Sequence, residues 1–245
     1  MKYIHLNCDL GEGGEQDGRL MPLISACNIA SGGHAGDKET MKRTLALALE
    51  YNVQIGAHPS YPDKQNFGRK SMKTSSEELK HSLVSQIGSL KKIAESMGGK
   101  LDHVKPHGAL YNEAAKDTKI ATIVLESILK IDEQMSVYVP QNSVIADLAK
   151  GKIQTVTEAF ADRNYEDNYQ LVSRKKSNAV LTEKEKIFNH LFTMFYEGEI
   201  ETINGKFLEC KADTFCLHSD TQNAVEILEY LHQNFTQKNI SIFKK

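Results

Sequence analysis

The sequence predicts an α/β protein in which a mostly parallel sheet is flanked by helices. Two patterns lead to this fold class. Short apolar runs alternate with amphipathic helical stretches, as they do in repeated βα units. Polar residues also cluster where the apolar runs end. The 245 residues suit one large α/β barrel or two small domains. Because no linker, repeat or low-complexity segment divides them, we expect a single catalytic domain over residues 1–245.

The predicted strands are short apolar runs, each followed by a turn or by polar residues. They are residues 3–7, 53–57, 101–105, 136–139, 153–159 and 214–217. Pro140 closes the fourth of these runs, because proline cannot donate to a strand ladder. The pair Asn204-Gly205, within residues 202–207, is typical of a hairpin turn. This last piece is therefore predicted to be an antiparallel addition to the sheet.

The predicted helices carry apolar residues at intervals of three and four. The clearest spans residues 76–97, where Leu79, Leu83 and Ile87 repeat this spacing and Ser75 precedes the first turn as a cap. The other predicted helices are residues 37–51, 117–131, 181–196 and 221–235.

The composition is that of a globular protein with a real core. Hydrophobic residues make up 40%, charged residues 25%, and the net charge is −2. No basic excess favours a nucleic-acid or membrane partner, and no stretch approaches the length of a membrane span. Asp9 interrupts the first apolar run too early for an export signal, so we expect a cytoplasmic protein. The cysteines, Cys8, Cys27, Cys210 and Cys216, form no CxxC pair and are predicted to be buried thiols.

Polar clusters follow the carboxyl ends of the predicted strands. They are residues 7–13, 56–59, 105–112, 158–163 and 218–220. Because the carboxyl ends of parallel strands share one face of an α/β fold, active sites lie there. Five clusters on one face are a stronger signal than any single motif. The sequence therefore predicts an active site at the strand tips.

The candidate catalytic residues are the carboxylates and imidazoles of this face. They are Asp9, Glu12, His34, His58 and His107. Such a set can hold a divalent metal, with Asp9, His34, His58 and His107 as ligands, or can act as proton donors and acceptors around a carbonyl. The spacing does not choose between these. A single histidine at a strand end is more often a structural hydrogen bonder, but together these residues favour a site.

Other polar residues have a functional and a structural interpretation. The glycine-rich residues 31–37 lead into a helix capped by Asp37, where bare backbone could approach an anion or form only a tight turn. Lys105 could bind a substrate carboxylate or be a surface lysine. Asp162 and Arg163 could clamp a substrate or form an internal ion pair, which is the safer interpretation. Histidines inside predicted strands and helices are set aside. They are His5, His81, His103, His190 and His232.

The motif blocks resemble those of the LamB/YcsF family over nearly the whole chain. They are residues 7–12, 28–37, 56–63, 67–69, 105–112, 158–165 and 216–220. The sequence departs from the family pattern at Ser31, where cysteine is usual, at Gly33, where a large side chain is usual, and at Ser219, where glycine is usual. The resemblance implies an irregular seven-stranded β/α barrel like that of polysaccharide deacetylases and related glycoside hydrolases.

The resemblance also implies a function. Members of the family are known as the A component of prokaryotic 5-oxoprolinase, which opens the lactam of 5-oxo-L-proline to L-glutamate with ATP and acts with B and C subunits. The sequence has neither a GxGxxG nor a Walker A motif, so we expect ATP to be bound with the partner subunits and the chain alone to show little activity. Whether the chain also binds a divalent metal or forms a homo-oligomer is left open.

Roles for individual residues follow as expectations. Asp9 and His107 would activate the attacking water, and Lys105 and Arg163 would hold a carboxylate or phosphate. The candidate substrate-binding residues are Lys105, Asn112, Glu158, Asp162, Arg163, His218 and Asp220. Two alternatives remain: a stand-alone metal-dependent deacetylase or glycan hydrolase on the same barrel, and a non-catalytic ligand-binding subunit.

Overall fold

A computed structural model describes residues 2–244 of the chain. Its strands are β1 (Lys2–Ile4), β2 (Leu6–Leu10), β3 (Ala26–Ala30), β4 (Gln54–His58), β5 (His103–Val104), β6 (Ser136–Pro140), β7 (Thr155–Phe160), β8 (Glu199–Glu201), β9 (Phe207–Glu209), β10 (Thr214–Cys216) and β11 (Ile240–Ile242). Seven of them form a closed barrel in the order β10-β2-β3-β4-β5-β6-β7. All of its pairings are parallel, and β10 closes the barrel by pairing with both β2 and β7. The predicted fold class is confirmed.

Helices surround the barrel. They are α1 (Asp17–Leu20), α2 (Lys38–Glu50), α3 (Ser76–Ser96), α4 (Gly108–Ala114), α5 (Thr118–Ile131), α6 (Val144–Ala149), α7 (Lys184–Phe192) and α8 (Ala224–Gln237). Helix α3 packs against α2 and α5, and α7 packs against α8. No helix among residues 2–244 is both long and apolar enough to cross a bilayer.

Helix α3 shows why the amphipathic stretches fold as predicted. Leu79, Leu83 and Ile87 are buried on one face, as their spacing requires. Ser75 caps the first turn and forms a capping box with Glu78, which satisfies backbone N–H groups that the helix leaves free. The predicted cap of α2 is also confirmed, because the Asp37 carboxylate accepts a hydrogen bond from the Thr40 amide at 2.8 Å.

The inside of the barrel is polar. Asn7 donates to the Thr214 hydroxyl at 2.9 Å, and Asn28 donates to Oδ1 of Asn7 at 2.8 Å and to Oδ1 of Asp9 at 2.8 Å. His5 Nδ1 lies 2.8 Å from the Thr214 hydroxyl at the other end of this chain of contacts. A hydrogen-bonded column therefore runs through the barrel along its axis. The apolar core lies between the strands and the helices.

Several elements differ from the sequence prediction. The first predicted strand is divided at His5: β1 pairs with β11 outside the barrel, and β2 belongs to the barrel. Strand β3 was not predicted, because its sequence Ala-Cys-Asn-Ile-Ala has few of the β-branched and aromatic residues typical of strands. The short helices α4 and α6 were missed as well. The hairpin is confirmed, since β8 and β9 pair antiparallel around the Asn204-Gly205 turn.

Candidate active site

A cavity of about 620 Å³ opens at the carboxyl ends of the barrel strands. Buried side chains from β2, β4 and β7, and from the segments after β5, form its inner wall: Asp9, His58, Lys105, His107 and Glu158. The face predicted from the sequence is therefore the face that carries the cavity. Exposed residues of the mouth include Asn112, Lys116, Arg174 and Lys175.

Lys105 lies between two carboxylates on the inner wall. Its Nζ is 2.9 Å from Oδ1 of Asp9 and 2.9 Å from Oε1 of Glu158, and 3.1 Å from the Cys216 sulfur. Burial opposes the charge of Lys105, but Asp9, Cys216 and Glu158 outweigh this effect and hold the pKa of Lys105 well above its usual value. An ammonium has only three donors, and all are directed at groups of this chain. Lys105 is therefore neither a surface lysine nor a free clamp for a substrate anion.

The three histidines and Glu12 form a compact cluster beside Asp9. The Nε2 of His34 lies 2.8 Å from Oε1 of Glu12, and Nδ1 of His107 lies 2.9 Å from Nε2 of His58 and 3.5 Å from the same Glu12 oxygen. The rings of His34 and His107 are stacked with centroids 3.7 Å apart. The structure thus brings together all five candidate catalytic residues.

Backbone carbonyls fix which nitrogens of two histidines carry protons. His58 Nδ1 lies 2.7 Å from the Lys105 carbonyl oxygen, and His107 Nε2 lies 2.9 Å from the Phe67 carbonyl oxygen. A carbonyl only accepts, so these two nitrogens must donate. The neutral rings therefore direct unprotonated nitrogens, His58 Nε2 and His107 Nδ1, at each other across 2.9 Å. Two facing lone pairs repel, so a proton or a metal ion must lie between them.

A proton and a metal ion are each compatible with the groups around these two nitrogens. Burial opposes a charge on His58, but Asp9, whose Oδ2 is 3.4 Å from Nε2, outweighs it and raises the pKa of His58. Burial and the charge of His58 hold the pKa of His107 well below its usual value. A proton would therefore reside on His58. For a metal, the ligand atoms of Glu12, His34, His58 and His107 all lie within 4.8 Å of one another. Glu12 takes the place in this group that was predicted for Asp9.

A loop covers the histidine cluster from one side. The Phe67 ring lies edge-on against His34 and His107, with centroids 5.0 Å and 5.4 Å away. Gly68 follows with a φ of +61°, and a Cβ there would lie 3.0 Å from both His107 and His34, so only glycine fits comfortably. At Gly33, Ser60 and Gln86 fill the space beside the backbone, where an added Cβ would lie 2.4 Å from the serine hydroxyl. These two side chains account for the small residue at this position.

Asp162 and Arg163 do not form the ion pair that was the safer interpretation. The Asp162 carboxylate accepts from the backbone amide and Nδ1 of His218 and from the Thr221 hydroxyl. Arg163 donates instead to the carbonyl oxygens of Val172 and Ala179. The two side chains therefore have separate sets of partners. Asp162 therefore holds His218 in position by hydrogen bonds, and His218 lines the cavity.

The mouth of the cavity carries excess positive charge. Arg174, Lys175 and Lys116 form no ion pair within the described chain, whereas Arg69 is paired with Asp220. Burial and the neighbouring charge of Arg174 lower the pKa of Arg163 to about 10. Like charges gathered without counterions favour an anionic ligand.

Several site residues were missed. The Nε2 of His103, a strand residue for which the sequence predicts no functional role, lies 2.7 Å from Oδ1 of Asn28, and Asn28 in turn donates to Asp9. Asn7 and Cys216 contact Lys105. Asn7 and Asn28 lie in the motif blocks, and asparagine inside an apolar run was the signal that could have identified them.

Known proteins are similar over the whole chain. The LamB/YcsF family model matches residues 4–245. The A subunit of 5-oxoprolinase from Bacillus cereus (strain 03BB102) is 40% identical over 99% of this chain and 98% of its own. The A subunit of 5-oxoprolinase from Pyrococcus abyssi is 40% identical over 98% of this chain and 96% of its own. The crystal structure of the lactam utilization protein of Thermus thermophilus superposes with a TM-score of 0.92 at 31% identity, covering 100% of both chains.

Proposed function

This chain belongs to the LamB/YcsF family, and from that premise we propose that it is the A subunit of a 5-oxoprolinase and that residues 1–245 form its catalytic domain. The reaction is hydrolysis of the lactam of 5-oxo-L-proline to L-glutamate. The observation that carries the proposal is the buried carboxylate–histidine cluster on the wall of a cavity, in a chain whose relatives are named for this activity.

The proposed enzyme has several subunits and works in the cytoplasm. The relatives are named as one subunit of a larger enzyme, which supports the need for partners. All four cysteines are free thiols, as is usual in a reducing compartment.

The cluster suits the proton transfers that lactam hydrolysis needs. Water adds to the ring carbonyl carbon, the C–N bond breaks, and the amine nitrogen takes up a proton. A neutral imidazole can take the first of these protons, and a protonated imidazole can supply the last. In our proposal, when no metal occupies the cluster, the neutral His107 accepts the proton of water and the protonated His58 donates its proton to the leaving nitrogen. Asp9 holds His58 in place and stabilises its charged form.

ATP supplies the driving force in this proposal, because a five-membered lactam resists water. Transfer of the γ-phosphoryl group of ATP to the carbonyl oxygen, with release of ADP, would make the ring carbon electrophilic. Addition of water and cleavage of the C–N bond would then leave an acyl phosphate, which a second water hydrolyses to glutamate and phosphate. The chain has no nucleotide-binding motif, so we assign ATP binding to the complex with the B and C subunits. The cationic mouth, with Arg163 and Arg174, suits an anionic substrate or intermediate arriving at the cavity.

A divalent metal is the second cofactor we propose. Glu12, His34, His58 and His107 would hold it, with Nε2 of His58 and Nδ1 of His107 as ligand atoms. Three imidazoles and one carboxylate are a donor set typical of zinc and related ions. A metal there would supply a Lewis acid for the lactam carbonyl. Nδ1 of His34 has no partner among residues 2–244, so this ligand is the least firmly oriented.

Reconstitution tests the proposed function. The chain is mixed with its B and C subunits, and glutamate release from 5-oxoproline is measured with and without ATP. We expect release only from the complete mixture. His107→Ala should lower turnover about 100- to 10,000-fold, the usual effect of removing a general base, while His81→Ala, on the exposed face of α3, should not.

Two results would contradict this function. One is strong ATP-dependent turnover by the purified single chain, which would mean that no partner is needed. The other is a folded His107→Ala complex with wild-type kinetics, which would remove the histidine cluster from the reaction.

A further inference from the structure

Two polar groups on the wall of the cavity make no hydrogen bond of normal geometry in the described structure. The hydroxyl of Tyr111, on α4, and the carboxylate of Glu158, on β7, line the same cavity. Both side chains are buried, and neither the hydroxyl nor either carboxylate oxygen makes a hydrogen bond of normal geometry in the described structure. Oε1 of Glu158 faces the Lys105 ammonium, and the Glu158 carboxylate also lies beside the Tyr111 hydroxyl. Buried polar groups nearly always form good hydrogen bonds, so two poorly bonded groups side by side on a cavity wall are candidates for binding a ligand.

The two groups are close to each other and differ in kind. Burial, the charge of Glu158 and the contact of the hydroxyl with the Glu158 carboxylate raise the pKa of Tyr111 well above its usual value, so the phenol stays protonated and acts as a donor. The Glu158 carboxylate lies beside the Lys105 ammonium and acts only as an acceptor. The wall therefore offers one donor beside one acceptor. Its ligand must present an acceptor beside a donor.

A lactam presents this pair. Ring closure forces its amide to be cis, so the N–H donor and the C=O acceptor lie side by side on one edge. We propose that Glu158 and Tyr111 recognise the amide edge of a lactam, with Glu158 accepting from the ring N–H and Tyr111 donating to the carbonyl oxygen. The inference rests on the proposed function and names the atoms that make the site selective for a lactam.

The surroundings agree with this orientation. Phe160 lies perpendicular to Tyr111 with ring centroids 5.8 Å apart and lines the cavity, giving the methylene groups of a small ring an apolar surface. His58 and His107 line the same cavity. A donor on the carbonyl oxygen also polarises the carbonyl carbon toward water.

Thermal stability distinguishes a role of Tyr111 in ligand recognition from a purely structural role. The Tyr111 hydroxyl makes no hydrogen bond of normal geometry in the described structure, so Tyr111→Phe removes a poorly satisfied buried group and should leave the melting temperature unchanged or higher. Tyr165 is the matched control, since it is buried on the same wall but accepts a hydrogen bond from the Phe160 amide at 2.8 Å. Tyr165→Phe should lower the melting temperature and leave ligand selectivity unchanged.

The test compares 5-oxoproline with its lactone counterpart, 5-oxotetrahydrofuran-2-carboxylate, which has a ring oxygen in place of the N–H. Binding of each to the full-length chain is measured by calorimetry. The wild-type chain should bind the lactam about 10- to 100-fold more tightly, as expected for a hydrogen bond to a charged acceptor. Glu158→Gln should bring this ratio close to one, because a glutamine amide can donate to the lactone oxygen. Tyr111→Phe should weaken both ligands about equally, since both have the carbonyl.

The outcomes are distinct. An unchanged lactam-to-lactone ratio in folded Glu158→Gln overturns the inference. So does a Tyr111→Phe chain that binds both ligands normally or melts well below wild type, and so does a wild-type chain that binds no 5-oxoproline at about 10 mM concentration, roughly a hundredfold above typical KM values. If the predicted ratios hold but the reconstituted complex releases no glutamate, the proposed function fails and lactam recognition stands.

Discussion

Single residues in this site are oriented mainly by the backbone. The carbonyl groups of Lys105 and Phe67 fix the protonated nitrogens of His58 and His107, and the opposite nitrogens are thereby directed at each other. A ring flip of either histidine would cost its carbonyl hydrogen bond. The two histidines are therefore already oriented to share a proton or a metal ion in the absence of a ligand.

The first prediction at this scale concerns metal. The isolated chain should bind one equivalent of Co²⁺ or Zn²⁺, and saturation to 100 times Kd should stabilise it by about 2.7 kcal/mol. His34→Ala should lose most of this stabilisation, because it removes one of four ligands that lie within 4.8 Å of one another. Thermal unfolding with and without metal measures the effect.

His81→Ala is the matched control for metal binding, since this exposed histidine lies outside the cluster. It should keep the full metal-induced shift. A His34→Ala chain that is stabilised by metal as strongly as the wild type would rule out this cluster as the metal site, and a proton would then be the occupant between His58 and His107.

At the scale of elements, the His103 ring of β5 lies directly against Gly56 of the neighbouring strand β4. Gly56 on β4 makes this possible, because a Cβ there would lie 2.1 Å from Nε2 of His103. The His103 ring cannot yield easily. It is stacked on Tyr138 with centroids 4.0 Å apart and is hydrogen-bonded to Asn28.

Gly56→Ala should therefore destabilise the protein by about 1–3 kcal/mol, the usual cost of overpacking. Urea unfolding measures the change. Gly14→Ala is the control, because no atom lies within 4 Å of an added Cβ there, and it should be near neutral. A Gly56→Ala chain as stable as wild type would mean that the His103 side chain can adopt another position without loss of stability.

The elements also show what a sequence can predict. Long amphipathic helices such as α3 and α5 were predicted almost to the residue, because their apolar spacing is regular. Strand β3 was missed since its residues face a polar interior on one side and so lack a continuous apolar pattern. For the same reason the sequence did not identify His103 and Asn28 as site residues. Their side chains meet near Asp9 only in the closed barrel.

At the scale of the whole molecule, barrel closure explains both what was predicted and what was not. Strand order places all the polar clusters at one end, and this followed from the parallel βα pattern alone. Which clusters touch did not follow. Asp9 and Lys105 are 96 positions apart in sequence and 2.9 Å apart in the structure, and only the closed register makes Lys105 an internal cation instead of a substrate clamp.

The polar column through the barrel gives the molecule a built-in magnetic-resonance reporter. Asn28 donates to both Asn7 and Asp9, so its oxygen must accept from His103 Nε2, and that imidazole proton is held between two atoms 2.7 Å apart in a side chain only 1% exposed. Shielded from water, it should exchange slowly enough to give a resolved downfield signal. Ligand binding at Asp9, one hydrogen-bonded residue away, should shift this signal, so that occupancy of the cavity can be followed from inside the barrel without a label.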